Sequence, residues 1–107
     1  METPKLNTTY DFVFSDGTSA KVTLTFYALY QLKSRDKALY DRYNRIMNMV
    51  ATGKSDELDM LALLYVAYVC ANYKDENIMN EEEFIIKCGF DREAVGNAVR
   101  ALTTAKN

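Results

Sequence analysis

Met60 to Ala71 is an unbroken run of twelve apolar residues, and it constrains this 107-residue chain more than any other feature. A membrane span needs about 20 apolar residues, so the run reads as a core helix. From Leu58 to Tyr73 only Asp59 and Asn72 are not apolar. A helix that is apolar nearly all round lies at the centre of a bundle or is shared with a partner. A chain of this length buries about two-thirds of its unfolded surface, enough for one modest core. One domain over residues 1–107 is expected, with 1–7 and 105–107 as loosely ordered tails.

The segment before that helix alternates with period two. Over 8–14, Tyr10, Phe12 and Phe14 share a face; over 18–24, Ala20, Val22 and Leu24 do. Ser15-Asp16-Gly17 lies between them. A two-residue Asp16-Gly17 turn would set Phe12 opposite Lys21 and put the two apolar sets on opposite faces. A three-residue loop, with Gly17 in the left-handed position, pairs Phe12 with Ala20 and Tyr10 with Val22. It also places Asp11 against Lys21 on the outer face. The three-residue loop is therefore predicted. A lone hairpin is marginal in water, so its aromatic face must rest on helices.

Thr25 is the expected N-cap of a short helix over 26–33, and Ser34 that of a longer one over about 35–52. In the longer helix Leu39, Tyr43, Ile46 and Val50 form a stripe, with Lys37–Asp41 and Asp41–Arg45 as i,i+4 pairs. Gly53 ends it, and Ser55 is the expected cap of the next helix, with Asp56 and Glu57 in its first turn. Asn80-Glu81-Glu82-Glu83 has the form of a capping box before Phe84-Ile85-Ile86. Gly89 closes that helix. Asp91 opens a last one, striped by Val95, Val99 and Leu102 and weakened by Gly96 by about 1 kcal/mol. The expected fold class is α+β, predominantly α: an N-terminal β-hairpin over about 8–24, then four or five helices in one compact domain.

There is no histidine, and 13 basic against 15 acidic residues leave a net charge of −2. This excludes Ser-His and Cys-His catalysis and imidazole metal sites, and gives no broad basic surface for nucleic acid. Cys70 and Cys88 are too few for a thiolate zinc site and are expected to be reduced and in or near the core. The acids at 75–76 and 81–83 do not alternate as calcium ligands do, and read as caps and solvated surface. No carboxylate pair is marked by an apolar setting, so neither an enzyme nor a cofactor is expected. Residues 80–104 superficially resemble a helix-turn-helix, with Arg92, Asn97 and Arg100 on the second helix. That makes a small DNA-binding regulator of a mobile element the alternative function. The start, Met1-Glu2-Thr3-Pro4-Lys5, has no charged-then-apolar export signal, so a cytoplasmic location is expected.

The eight tyrosines are the least routine feature of the composition. Tyr27 and Tyr30, Tyr40 and Tyr43, and Tyr65 and Tyr68 each stand three apart, on one face of a helix. Tyrosine serves equally as the wet rim of a small core and as an interface anchor. These six are the candidate partner contacts, and both readings stay open.

The hairpin, then Leu24-Thr25-Phe26-Tyr27-Ala28-Leu29-Tyr30, then Asp36-Lys37-Ala38-Leu39-Tyr40 with Tyr43-Asn44, resembles tail assembly chaperones of long-tailed bacteriophages and prophages of Gram-positive bacteria. Met79-Asn80-Glu81-Glu82-Glu83-Phe84 followed by Phe90-Asp91-Arg92 is similar to the closing segment of such proteins. The resemblance spans about residues 8–104 and is one of pattern and size. It implies a small, mostly helical, non-enzymatic protein in the cytoplasm of the bacterial host cell, absent from the mature virion. It further implies binding of the tape-measure protein, help in bringing tail-tube subunits to it, and possible homo-oligomers. It brings no catalytic residues. Some such chaperones are made in two lengths by ribosomal frameshifting, and Ala105-Lys106-Asn107 is encodable as GCA AAA AAC, which contains a slippery heptamer. An exposed apolar helical stripe on a tape-measure protein would need an apolar or aromatic groove to cover it. Methionine-rich surfaces adapt to such contours, and many copies along one filament add avidity.

Overall fold

A computed structural model describes residues 9–89 and 91–103 of the chain. The tails expected at 1–7 and 105–107 lie outside the described residues, as do Thr8 and Phe90. The elements run β1 (Tyr10–Val13), β2 (Ser19–Val22), α1 (Phe26–Arg35), α2 (Lys37–Ala51), α3 (Glu57–Ala71), α4 (Glu81–Cys88) and α5 (Arg92–Thr103). The fold is α+β and mostly α: a two-stranded antiparallel hairpin followed by five helices in one globule.

The hairpin has the predicted register. Tyr10 pairs with Val22, Asp11 with Lys21 and Phe12 with Ala20, and the Phe14 amide donates to the Thr18 carbonyl at 2.7 Å across the three-residue loop. Gly17 takes φ +90°, which the loop requires and most side chains resist. The Lys21 ammonium lies 2.7 Å from the Asp11 carboxylate on the outer face. The inner face buries Phe12, Phe14 and Val22 against α3, α4 and α5. Polar ties hold it there. The Thr23 amide donates to the Ala67 carbonyl at 3.1 Å, and the Asn72 side-chain amide donates to the Lys21 carbonyl at 2.8 Å. At the loop, the Ser15 hydroxyl donates to the Lys87 carbonyl at 3.0 Å.

The helix α3 is the central element. From Asp59 to Asn72 none of its residues is exposed. Leu63, Leu64, Ala67 and Tyr68 face the hairpin, α4 and α5, whereas Val66 and Cys70 pack under Ala28, Leu29 and Leu32 of α1. Two cores on two sides of one helix explain why its sequence lacks an amphipathic stripe.

Several boundaries differ from expectation. The strands are shorter than 8–14 and 18–24, and α1 runs to Arg35, so Ser34 lies inside it. Asp36 instead closes α1, donating its amide to the Leu32 carbonyl at 2.7 Å. The same residue opens α2, its carboxylate accepting from the Leu39 amide at 3.1 Å. A carboxylate at an N-terminus gains from the helix dipole as a serine hydroxyl does not. Asp56, not Ser55, caps α3. Its carboxylate accepts from the Asp59 amide, and Asp59 accepts in return from the Asp56 amide. A cap at Ser55 would put Leu58 at the third position, with no oxygen to complete that box. The all-apolar helix stops at Ala71, where Asn72 caps it. Val50 is exposed; Ile46 is the buried residue of α2, with Tyr43, Met47 and Met49 half-buried beside it. The outer helix is covered on one side only, and its stripe drifts with the 3.6-residue repeat.

Candidate partner-binding surface

The six candidate tyrosines fall into three pairs with three fates. Tyr65 and Tyr68 are structural. Their rings flank Phe84, at 5.5 Å and 5.1 Å between centroids, and Tyr68 is 4% exposed. The Tyr65 hydroxyl donates to the Met79 carbonyl at 3.0 Å, and the Met79 amide donates to the Tyr68 hydroxyl at 2.9 Å. Two phenols thus hold the amide and the carbonyl of one residue and fix the connection that leads into α4. Burial pushes the Tyr65 hydroxyl above its ordinary pKa.

Tyr40 and Tyr43 are half-buried on α2, with rings 6.2 Å apart. The Lys33 ammonium lies 5.5 Å from the Tyr40 ring centroid, and burial raises the Tyr43 hydroxyl pKa. This pair joins α2 to α1 while leaving part of each ring open.

Tyr27 and Tyr30 are open. Ala28, Leu29 and Leu32 form the buried face of α1, which turns Phe26, Tyr27 and Tyr30 outward. Both tyrosines are 68% exposed and Phe26 is 91% exposed. The two tyrosine rings stack, 6.4 Å apart at 24°. The stacked Tyr27 and Tyr30 rings, with Phe26 exposed at the start of the same helix, present apolar surface of the kind that marks interaction sites. Thr25 starts this helix where it does, its hydroxyl accepting from the Ala28 amide at 3.1 Å.

A second apolar surface lies at the other end of α3. The two helices after it, α4 and α5, each pack on α3, and a cleft of about 540 Å³ opens between the three. Its walls are Leu58, Met60 and Leu61 from α3, Ile85 from α4 and Val95 from α5. Gly96 also lines it, and a Cβ there would meet nothing within 4 Å. Leu58 is 68% exposed at the mouth. At the rim the Arg92 guanidinium pairs with Glu57 at 3.0 Å, joining α5 to α3, and the Asp91 carboxylate accepts from the Ala94 amide at 3.0 Å. Arg42 forks onto Glu81, with one bond at 2.8 Å, and this ion pair holds α4 to α2. That contact raises the Arg42 pKa.

The cleft was not anticipated as a site. Its one sequence signal was the apolar character of α3 all round, which includes Leu58 and Leu61 on a side that α1 does not cover. Cys70 and Cys88 are buried free thiols, and burial pushes both pKa values up to about 11. Among the described residues no group of three acids or cysteines is placed to hold a metal ion. No described helix is long and apolar enough to cross a membrane. What these surfaces can do chemically is bury apolar and aromatic side chains.

No protein family, curated protein or solved structure matches the chain. The fold and its surfaces define a small helical domain with two open apolar faces.

Proposed function

We propose that this protein is a non-enzymatic assembly chaperone of a phage tail, which shields the apolar stripe of the tape-measure protein in the host cytoplasm and helps tail-tube subunits reach it. The observation that carries the reading is the cleft between α3, α4 and α5, lined by Leu58, Met60, Leu61, Ile85 and Val95. An amphipathic helix docks by laying i, i+3, i+4 and i+7 side chains into such a groove. Met60 adds a side chain that adapts to varied clients. Support of a different kind comes from the resemblance of the α1–α2 segment and of residues 79–92 to tail chaperones.

The test is to sequence the gene's neighbourhood and co-express the chain with any long helix-coding gene found there. The wild-type chain is expected to move that gene's product into the soluble fraction, and Leu58→Asp with Ile85→Asp to lose the effect while remaining folded. Both positions line the mouth or walls of the cleft, so the loss reports on the cleft itself. A neighbourhood with no long helix-coding gene, together with salt-sensitive retention of the chain on duplex DNA, would replace this reading with the DNA-binding regulator built on residues 80–104.

A further inference from the structure

The cleft has an unbalanced charge around it. Three stretches frame it: 56–61 at the start of α3, 81–89 with α4, and 91–96 at the start of α5. Together they hold eight acidic side chains and two basic ones, Lys87 and Arg92. Both bases are already matched to an acid. The Lys87 ammonium lies 3.8 Å from the Asp16 carboxylate, and the Arg92 guanidinium 3.0 Å from that of Glu57. Of the remaining acids, Glu81 is matched by Arg42. Asp56, Asp59, Glu83 and Asp91 accept hydrogen bonds from backbone amides at helix starts, which brings them no cation. Each of those helix starts offsets about half a negative charge. Glu82 and Glu93 are exposed and have no ion-pair partner among the described residues. Each stands three residues before a residue that lines the cleft, Ile85 and Gly96, and so on the adjoining helix face. The rim keeps a surplus of negative charge.

The cleft is also short. Its long walls are Glu57–Leu61 of α3 and Arg92–Gly96 of α5, each about 6 Å at 1.5 Å per residue. Side chains at i and i+4 of a docked helix are about 6 Å apart along its axis too. The cleft therefore seats one pair of apolar anchors, and the residues that flank the pair fall over the acidic rim.

We infer that the cleft selects a cationic amphipathic helix, with two apolar anchors one turn apart and lysine or arginine on either side of them. This rests on the reading of the cleft as a helix-docking groove and adds the charge of the helix it takes. Rim charges of opposite sign speed encounter and exclude wrong partners more than they add affinity. The Glu57–Arg92 pair is 65% exposed on each side and of a kind worth little in water, so an incoming cation shares Glu57 at small cost. The same rim repels nucleic acid and anionic lipid.

The experiment is fluorescence anisotropy of labelled synthetic peptides titrated with the full chain at low and high salt. Three peptides carry leucines at i, i+3, i+4 and i+7 and differ only in their flanking residues: lysine, glutamine or glutamate. A fourth is the lysine peptide with its leucines replaced by serine. The lysine peptide is expected to bind about tenfold tighter than the glutamate peptide at low salt, as a few surface charge pairs allow, with glutamine between them. That advantage is expected to vanish at about 1 M salt, where charges are screened beyond about 3 Å. The serine peptide is expected not to bind. Glu82→Gln/Glu93→Gln, at exposed positions, is expected to keep the fold by circular dichroism and to lower the preference to about threefold. Equal binding of the three leucine peptides would overturn the proposal and leave helix docking standing, whereas no binding by any of them would overturn both. A serine peptide that binds as tightly as the lysine peptide would overturn it as well, and so would a preference unchanged in the double variant.

Discussion

Tyr68→Phe is the sharpest single perturbation of this fold, because it removes one oxygen and leaves the ring in place. That oxygen accepts the Met79 amide at 2.9 Å, while the Tyr65 hydroxyl donates to the carbonyl of the same residue at 3.0 Å. Leaving a buried donor without a partner costs about 1–3 kcal/mol. Met79 is half-buried, so some water can reach its amide, and the expected loss is about 1–2 kcal/mol. Tyr65→Phe should cost less, about 0.5–1 kcal/mol, because a carbonyl with partial access to water is more easily satisfied. The double variant should fall short of the sum, since both hydroxyls serve one residue. Tyr27→Phe is the control. Its ring is 68% exposed, and substitutions at such positions usually stay within about 0.5 kcal/mol. The assay is urea unfolding followed by far-UV circular dichroism, with thermal melts as a check at about 4–8 °C per kcal/mol. A Tyr68→Phe variant as stable as wild type would refute the assignment of this pair to the chain's own core. So would a Tyr27→Phe variant that costs as much.

Phe84→Ala should be the most damaging core change, at about 3–5 kcal/mol, because this 0% exposed ring meets Phe14, Tyr65 and Tyr68; denaturant midpoints read it, and a loss below 1.5 kcal/mol contradicts the packing. Gly89→Ala should cost about 1–2 kcal/mol for the left-handed backbone alone, and more for the Cβ that would fall 2.7 Å from the Ser15 hydroxyl; a variant of unchanged melting temperature would show that the loop gives way freely. Both thiols have pKa values near 11 when folded and near 9 when unfolded, so between those values the unfolded chain sheds protons that the folded chain keeps. Stability should hold below about pH 8.5 and fall from there toward pH 11, with the half-buried Tyr43 and Tyr65 hydroxyls adding in the same direction. Urea midpoints across that range test it, and a flat profile would mean the thiols are not buried as described.

The hairpin's register was legible to the residue, though the strand ends were not, because two independent constraints agreed: an alternating pattern that must keep its aromatic face inward, and a loop whose length decides that phase. The helices were legible as elements, but two of their starts were not. Serine and aspartate are near-equal caps by type, and only the neighbour three residues on, or the length of the preceding helix, decides between Ser55 and Asp56 or between Ser34 and Asp36. The tyrosines make the limit plainest. Three pairs with the same spacing end up exposed (Tyr27, Tyr30), half-buried (Tyr40, Tyr43) and packed around Phe84 with Tyr68 buried and Tyr65 half-buried, because spacing says which residues share a helix face and not whether another element covers it. The cleft was hidden for the same reason. It depends on how α4 and α5 each pack against α3, which no local pattern of Leu58, Ile85 or Val95 records.

The proposed function stands most directly on one measurement: amide chemical shifts of the full chain, titrated with a synthetic amphipathic helical peptide that carries leucines at i, i+3, i+4 and i+7. The account predicts saturable shifts centred on Leu58, Leu61, Ile85, Val95 and Gly96, weakened in Gly96→Leu, whose side chain would project into the cleft. Shifts confined to other surfaces, or none at peptide concentrations in the millimolar range, would contradict it.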